Sequence, residues 1–200
     1  MRSSPDWLYR LKRSGSPLTY SLMAFLVIVF LIVFLGSGSH TTFEALENLV
    51  FRAENTASKP WTLFTYWWFS GASPLSLFFL LIVLYFFGTS LERGWGTKRY
   101  GLFLFSQSLL TPIAFWIGDV VLGRSPVLFS FGILSGTIVV AFCALNPNAI
   151  IRFMFVIEVL AKWLIILPFA FVAFNYGWGN PVFAIFAVVP LVVSIFHVRG

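Results

Sequence analysis

The sequence predicts an all-α integral membrane protein: six transmembrane helices in one bundle, with an amphipathic interfacial helix in the first loop. Three observations predict it. Of 200 residues, 59% are apolar and only 10% are charged, where a soluble chain carries roughly a quarter charged residues. Twenty-five phenylalanines and eight tryptophans are more aromatic surface than one water-soluble core of this length can hide. Six spans of ~20 residues need ~120 positions, which leaves tails and loops but no second folded domain. One cysteine, Cys143, excludes a disulfide framework and a multi-thiolate zinc site. A net charge of +6 in such a chain reports topology and anionic lipid, with no nucleic-acid partner implied.

Residues 1–17 form a basic tail with Arg2, Arg10, Lys12 and Arg13 against Asp6. The membrane domain is 18–200. Its first span, 18–35, carries no charge; a basic segment before an apolar one also describes a signal peptide, but this run is long enough to span and is read as retained. The long outer loop, 37–60, holds Thr41-Thr42-Phe43-Glu44 with capping-box spacing. Phe43, Leu46 and Val50 then recur on one helical face, predicting a helix that lies in the interface. Residues 60–69 are an aromatic belt. The second span is 75–87, ending at Gly88, and a basic turn follows over 91–99. The third is 100–122, bent at Pro112. The fourth is 127–145, closed by Asn146-Pro147-Asn148. The fifth is 157–174 and the sixth 181–198.

With six spans both termini share one side. An N-terminus in the cytoplasm (the bacterial cytoplasmic membrane, if the source is bacterial) puts Arg2, Arg10, Lys12, Arg13, Arg93, Lys98, Arg99, Arg152 and Arg199 inside. It puts Arg52, Lys59 and Arg124 outside, with Lys162 near or in the bilayer. Nine against three is a positive-inside bias.

Glu92 is the one acid in the basic turn. A carboxylate there can accept backbone amides of the turn and pin the second span to the third, with glycines such as Gly96 permitting close backbone approach. The alternative is a solvated interfacial charge. The residues from Trp61 and Thr65 through Gly88, Leu91, Glu92 and Gly96 resemble the rhomboid superfamily of intramembrane serine proteases and their inactive relatives. Leu145-Asn146-Pro147, followed by Phe153, Phe155 and Lys162-Trp163-Leu164, resembles the family's connection between its fourth and fifth helices.

The resemblance implies a serine atop the fourth span, a histidine base early in the sixth and an oxyanion hole supplied partly by the second. Such a serine needs a neighbouring base to become nucleophilic. Ser135-Gly136 can fill the serine position, but Ile133 stands where the family has the first glycine of Gly-x-Ser-Gly. Gly132 and Gly136 also form a small-x-x-x-small pair, so a helix-packing role is the plainer reading of Ser135. The stretch 181–190 has no titratable side chain. His197 is the remaining candidate, at the far end of the sixth span, a bilayer core's thickness from Ser135. The family's second-span donors fall on Ser76 and Leu80, and Leu80 has none to give.

Other titratable groups are weighed singly. His40, Glu44 and Glu47 share a helical face that could be a weak metal site, although mixed polar loops produce such spacing often; no metal or cofactor is expected. His197 reads as a snorkelling interfacial side chain, with ligation of a neighbouring subunit's haem or chlorophyll as the rarer use. Glu158 and Lys162 are an i, i+4 pair at the inner start of the fifth span.

The expected function is therefore an inactive rhomboid-like pseudoprotease binding transmembrane helices of partner proteins. It would act as a client-binding or regulatory factor, or as an accessory subunit of a larger membrane complex. The runner-up is an active intramembrane serine protease with Ser135 as nucleophile. A transporter or channel is disfavoured, because spans one, two, four and six carry almost no internal polar residues.

Overall fold

The computed structural model describes residues 15–36, 46–56, 58–70, 73–123, 127–128, 131–153, 157–177 and 181–199. The tail residues Arg2, Asp6, Arg10, Lys12 and Arg13, the capping box at 41–44, His40 and Arg124 lie outside them. The chain is mostly helical. Helix α1 is Pro17–Gly36, followed by strand β1, Phe51–Arg52. Helix α2, Thr62–Thr65, runs on as a tight turn through Tyr66–Trp68. Helix α3 is Pro74–Trp95 and α4 is Thr97–Leu122. Then come β2, Val127–Leu128, α5, Gly132–Leu145, and the hairpin of β3, Ile150–Phe153, with β4, Ile157–Leu160. Helices α6, Ala161–Gly177, and α7, Pro181–Arg199, complete the order.

Among the described residues, four helices are long and apolar enough to cross a membrane: α1, α3, α4 and the Pro181–Val198 part of α7. Local chemistry fixes their ends. Ser73 caps α3 by accepting the Leu75 amide at 3.2 Å, with Pro74 in the first turn. Gly123 ends α4 in the left-handed conformation, φ 62°, and its N–H reaches Asp119 O at 2.7 Å. Pro112 is buried inside α4, which continues through it. Within α3, Leu84–Gly88 forms a π turn.

Three sequence-based boundaries shift. The second span does not end at Gly88: the chain stays helical through the π turn to Trp95, and the turn is made at Gly96. The fourth span starts at Gly132 rather than at 127, because Val127 and Leu128 pair antiparallel with Arg52 and Phe51. Helix α5 has 14 residues, about 21 Å at 1.5 Å per residue, short of the ~30 Å hydrocarbon core. The fifth span loses its predicted first turn to β4. Ile150, Ile151, Ile157 and Val159 are β-branched and suit a ladder, and their strands pair with Ile150 opposite Leu160. This also undoes the predicted Glu158–Lys162 helical pair: Glu158 lies in β4, in register with Arg152, while Lys162 opens α6 with Nζ 5.9 Å from the Trp163 ring centre. Of the segment predicted to form an interfacial helix, residues 46–50 are described, and there the amides of Leu49 and Val50 reach Leu46 O at 3.0 and 3.2 Å.

The core sits on both sides of α5. Leu134, Ile138 and Ala141 join Leu26 and Phe30 of α1, Leu77, Leu80 and Leu84 of α3, and Tyr100 and Phe103 of α4. Ile133 and Val140 face the other way, against Tyr66, Phe115, Val172, Phe183 and Leu191. A helix apolar all round is buried all round, and α5 is the axis of the bundle. Outward, Ile32 and Leu35 of α1, Leu102 and Val120 of α4 and Phe196 of α7 are exposed. An apolar outer surface of this extent is the surface a hydrocarbon solvent requires.

Candidate functional site

The residues Trp61 and Thr65, and Gly88, Leu91, Glu92 and Gly96, belong to two clamps at opposite ends of the bundle. At one end Glu92 is completely buried. Its carboxylate accepts the Leu18 amide at 2.9 Å, the Thr19 amide at 2.7 Å, the Thr19 hydroxyl at 2.7 Å and the Thr97 hydroxyl at 2.9 Å. The two amides belong to the first turn of α1, which has no acid of its own. Helix N-termini leave amides unsatisfied and favour negative charge; here a residue of another element supplies it. Ser16, in the capping position of α1, keeps its buried hydroxyl without a partner among the described residues. The sequence reading joined the second span to the third through Glu92; the principal bonds run instead to α1.

Glycines let the elements come together. A Cβ on Gly88 would lie 2.9 Å from the Tyr100 Oη and 3.1 Å from Thr19 Cγ2. Gly96 does not serve the close approach expected of it, since a Cβ there would meet nothing within 4 Å among the described residues; it turns the chain between α3 and α4 with φ 80° and ψ 155°, a region L side chains avoid. Leu91 is buried beside them. Thr19, Thr97 and Tyr100 complete this end, and sequence reasoning did not select them. The one available signal was the missing acid in the first turn of α1.

At the other end, Trp61 Nε1 donates to Asn48 O at 2.9 Å and Thr65 Oγ1 donates to Leu49 O at 2.8 Å. Both bonds hold the end of the first loop. The buried Tyr66 hydroxyl donates to Ser108 O at 3.1 Å, and burial raises the phenol's pKa well above its ordinary range.

Ser135 stands in the first turn of α5, half-buried, with its hydroxyl donating to Gly132 O at 2.7 Å. Next to it a Cβ on Gly136 would lie 3.3 Å from Leu191 Cδ2 and 3.4 Å from Pro168 Cβ, so α6 and α7 close on α5 there. Ile133 is buried in the same region and Leu80 on the α1–α3 side. His197 follows Leu191 by six residues, an axial offset of about 9 Å. That is much less than the full bilayer depth the sequence suggested, because α5 begins late and meets α7 beyond its midpoint. It still leaves the imidazole out of hydrogen-bonding reach, with its ring against Phe103 at 5.5 Å. Since Trp95 packs on the same Phe103 at 5.4 Å and Gly101 lies against Leu18, the start of α1 and the end of α7 share one end of the bundle.

Of the possible metal face, His40 and Glu44 lie outside the described residues. Glu47 is exposed and pairs with Arg52 at 3.4 Å, and no group of three potential metal ligands occurs among the described residues. Comparison with protein-family models, with curated proteins and with solved structures matches the chain to none of them.

Proposed function

We propose that this chain is a catalytically inactive, rhomboid-like membrane protein. In this reading six spans cross the bilayer with both termini in the cytoplasm, α5 and α6 being the two short ones. The protein holds transmembrane helices of partner proteins, as a regulatory factor or as a subunit of a larger membrane complex. The observation that carries the reading is the surrounding of Ser135. Its proton is directed at a carbonyl of its own helix, and its neighbour Gly136 is closed off by Leu191 and Pro168. A serine hydroxyl without a base at hydrogen-bonding distance is a poor nucleophile.

Partner binding has its surface on α3 and α6. Leu75, Phe78 and Phe79 of α3 and Trp163, Leu167 and Phe174 of α6 are exposed. Between apolar surfaces in lipid, selectivity comes from packing, and rings of this size offer large contact areas.

The test combines a fluorophosphonate probe and a rhomboid reference substrate with gentle purification from native membrane. The expected result is no labelling, no cleavage and co-purifying membrane proteins. Labelling or cleavage abolished by Ser135→Ala would overturn the proposal in favour of an active intramembrane protease.

A further inference from the structure

Burial of Glu92 changes the charge of its turn. The carboxylate is consumed by α1 and Thr97, whereas Arg93, Lys98 and Arg99 stay exposed. Among the described residues the ion pair formed is Arg52–Glu47, at the other end of the bundle. Arg99 lies 6.0 Å from the Trp95 ring centre. Three cations thus face outward where α3 ends, with no acid side chain bound to them among the described residues.

Arg93 also borders a hollow of about 290 Å³, lined with Tyr85, Phe86, Thr89 and Ser90. Tyr85 and Phe86 belong to the π turn Leu84–Gly88, a distortion that recurs at functional positions. The Thr89 hydroxyl donates to the Tyr85 carbonyl. Tyr85 and Phe86 are 49% and 60% exposed, and Ser90 and Arg93 line the hollow with them. All five lining residues lie on one face of α3, with the aromatic pair a turn further into the helix and the hydroxyls and Arg93 toward its end, in a span long enough to cross the bilayer.

We infer that this hollow is a binding site for one anionic glycerophospholipid. The Arg93 guanidinium takes the phosphate, for which its planar fork of donors is suited. Ser90 meets the head group, and Tyr85 and Phe86 flank the start of the acyl chains, as aromatic side chains do at the interface. The inference rests on the membrane placement of α3 and is independent of whether the protein binds partner helices.

The test uses the full chain purified in detergent, with native mass spectrometry reading bound lipid against added phosphatidylglycerol or phosphatidylcholine of the same acyl chains. Both lipids offer the phosphate, but phosphatidylcholine adds a choline cation that the basic turn repels, so phosphatidylglycerol should bind about tenfold more tightly. Arg93→Gln should abolish that preference and Lys98→Gln should keep it. Should Arg93→Gln fail to fold, Ser90→Leu fills the hollow with the cation in place and should also lose the preference. Equal binding of the two lipids, or equal loss in Lys98→Gln, would overturn the site in favour of a diffuse basic surface. Binding of inorganic phosphate alone with the same Arg93 dependence would overturn it in favour of a soluble anion.

Discussion

The carboxylate of Glu92 accepts the amide of Thr19 at 2.7 Å across 73 residues of sequence. It makes the first turn of α1 and the last turn of α3 a single hydrogen-bonded unit. A buried carboxylate is tolerated only when its oxygens are satisfied, and this one has four donors. The acid is therefore structural, and its removal is costly in a specific way.

Glu92→Ala should lower the stability of the folded protein by about 2–4 kcal/mol, since two backbone amides and two hydroxyls lose their acceptor in a buried place. Thr19→Val should cost about 1 kcal/mol, for one lost hydroxyl bond. The two should be non-additive, because they remove the same contact. Thermal unfolding in detergent of both single variants and the double variant measures this; strict additivity would show that the bond contributes nothing.

Gly88→Ala should cost about 1–3 kcal/mol through overpacking, because the new methyl meets the Tyr100 hydroxyl at 2.9 Å. Tyr100→Phe in that background removes the atom in conflict and should restore part of the loss. An unrestored double variant would assign the cost to Thr19 Cγ2 on the other side.

At α5 the two neighbours should behave oppositely. Gly136→Val forces apart α5 and its contacts Leu191 and Pro168, with a loss of about 1–3 kcal/mol. Ser135→Ala removes a bond within one helix and should change stability by less than about 1 kcal/mol. Equilibrium unfolding of both variants reads the difference.

Cysteine labelling in a Cys143→Ser background should modify a cysteine at position 98 from the cytoplasmic side and one at position 47 from the outside. The basis is the bias of basic residues. Labelling of position 47 from the cytoplasm would end the six-span topology.

The long spans were legible because α1, α3, α4 and α7 are each an apolar run bounded by proline, glycine or charge, and periodic burial plays little part in lipid. Gly96 was legible as a turn glycine, but its space is open and its need is the positive φ, while the close approach falls at Gly88. What could not be read is non-local. Nothing around Phe51 indicates that it lies opposite Leu128, and the apolar run 157–174 reads as one helix until the strand at 150–153 claims its first four residues. Glu92 was recognisable as a clamp, but its partners Leu18 and Thr19 were not, since a carboxylate's choice of amides is decided by tertiary packing. The offset between Ser135 and His197 was misjudged for the same reason: the depth at which α5 meets α7 follows from where α5 begins.

The capping of α1 by Glu92 has a consequence for the order of synthesis. A growing chain exposes α1 first, and the residue that closes its first turn is made 73 residues later, roughly 4–15 s at ~5–20 residues per second. During that interval α1 can enter the bilayer but cannot complete its own N-terminus. The nascent protein therefore passes through a timed, incomplete state that ends only when α3 has been delivered in the correct direction. A chain truncated before Glu92, or one whose α3 inserts upside down, remains distinguishable from the finished protein by the open amides of Leu18 and Thr19.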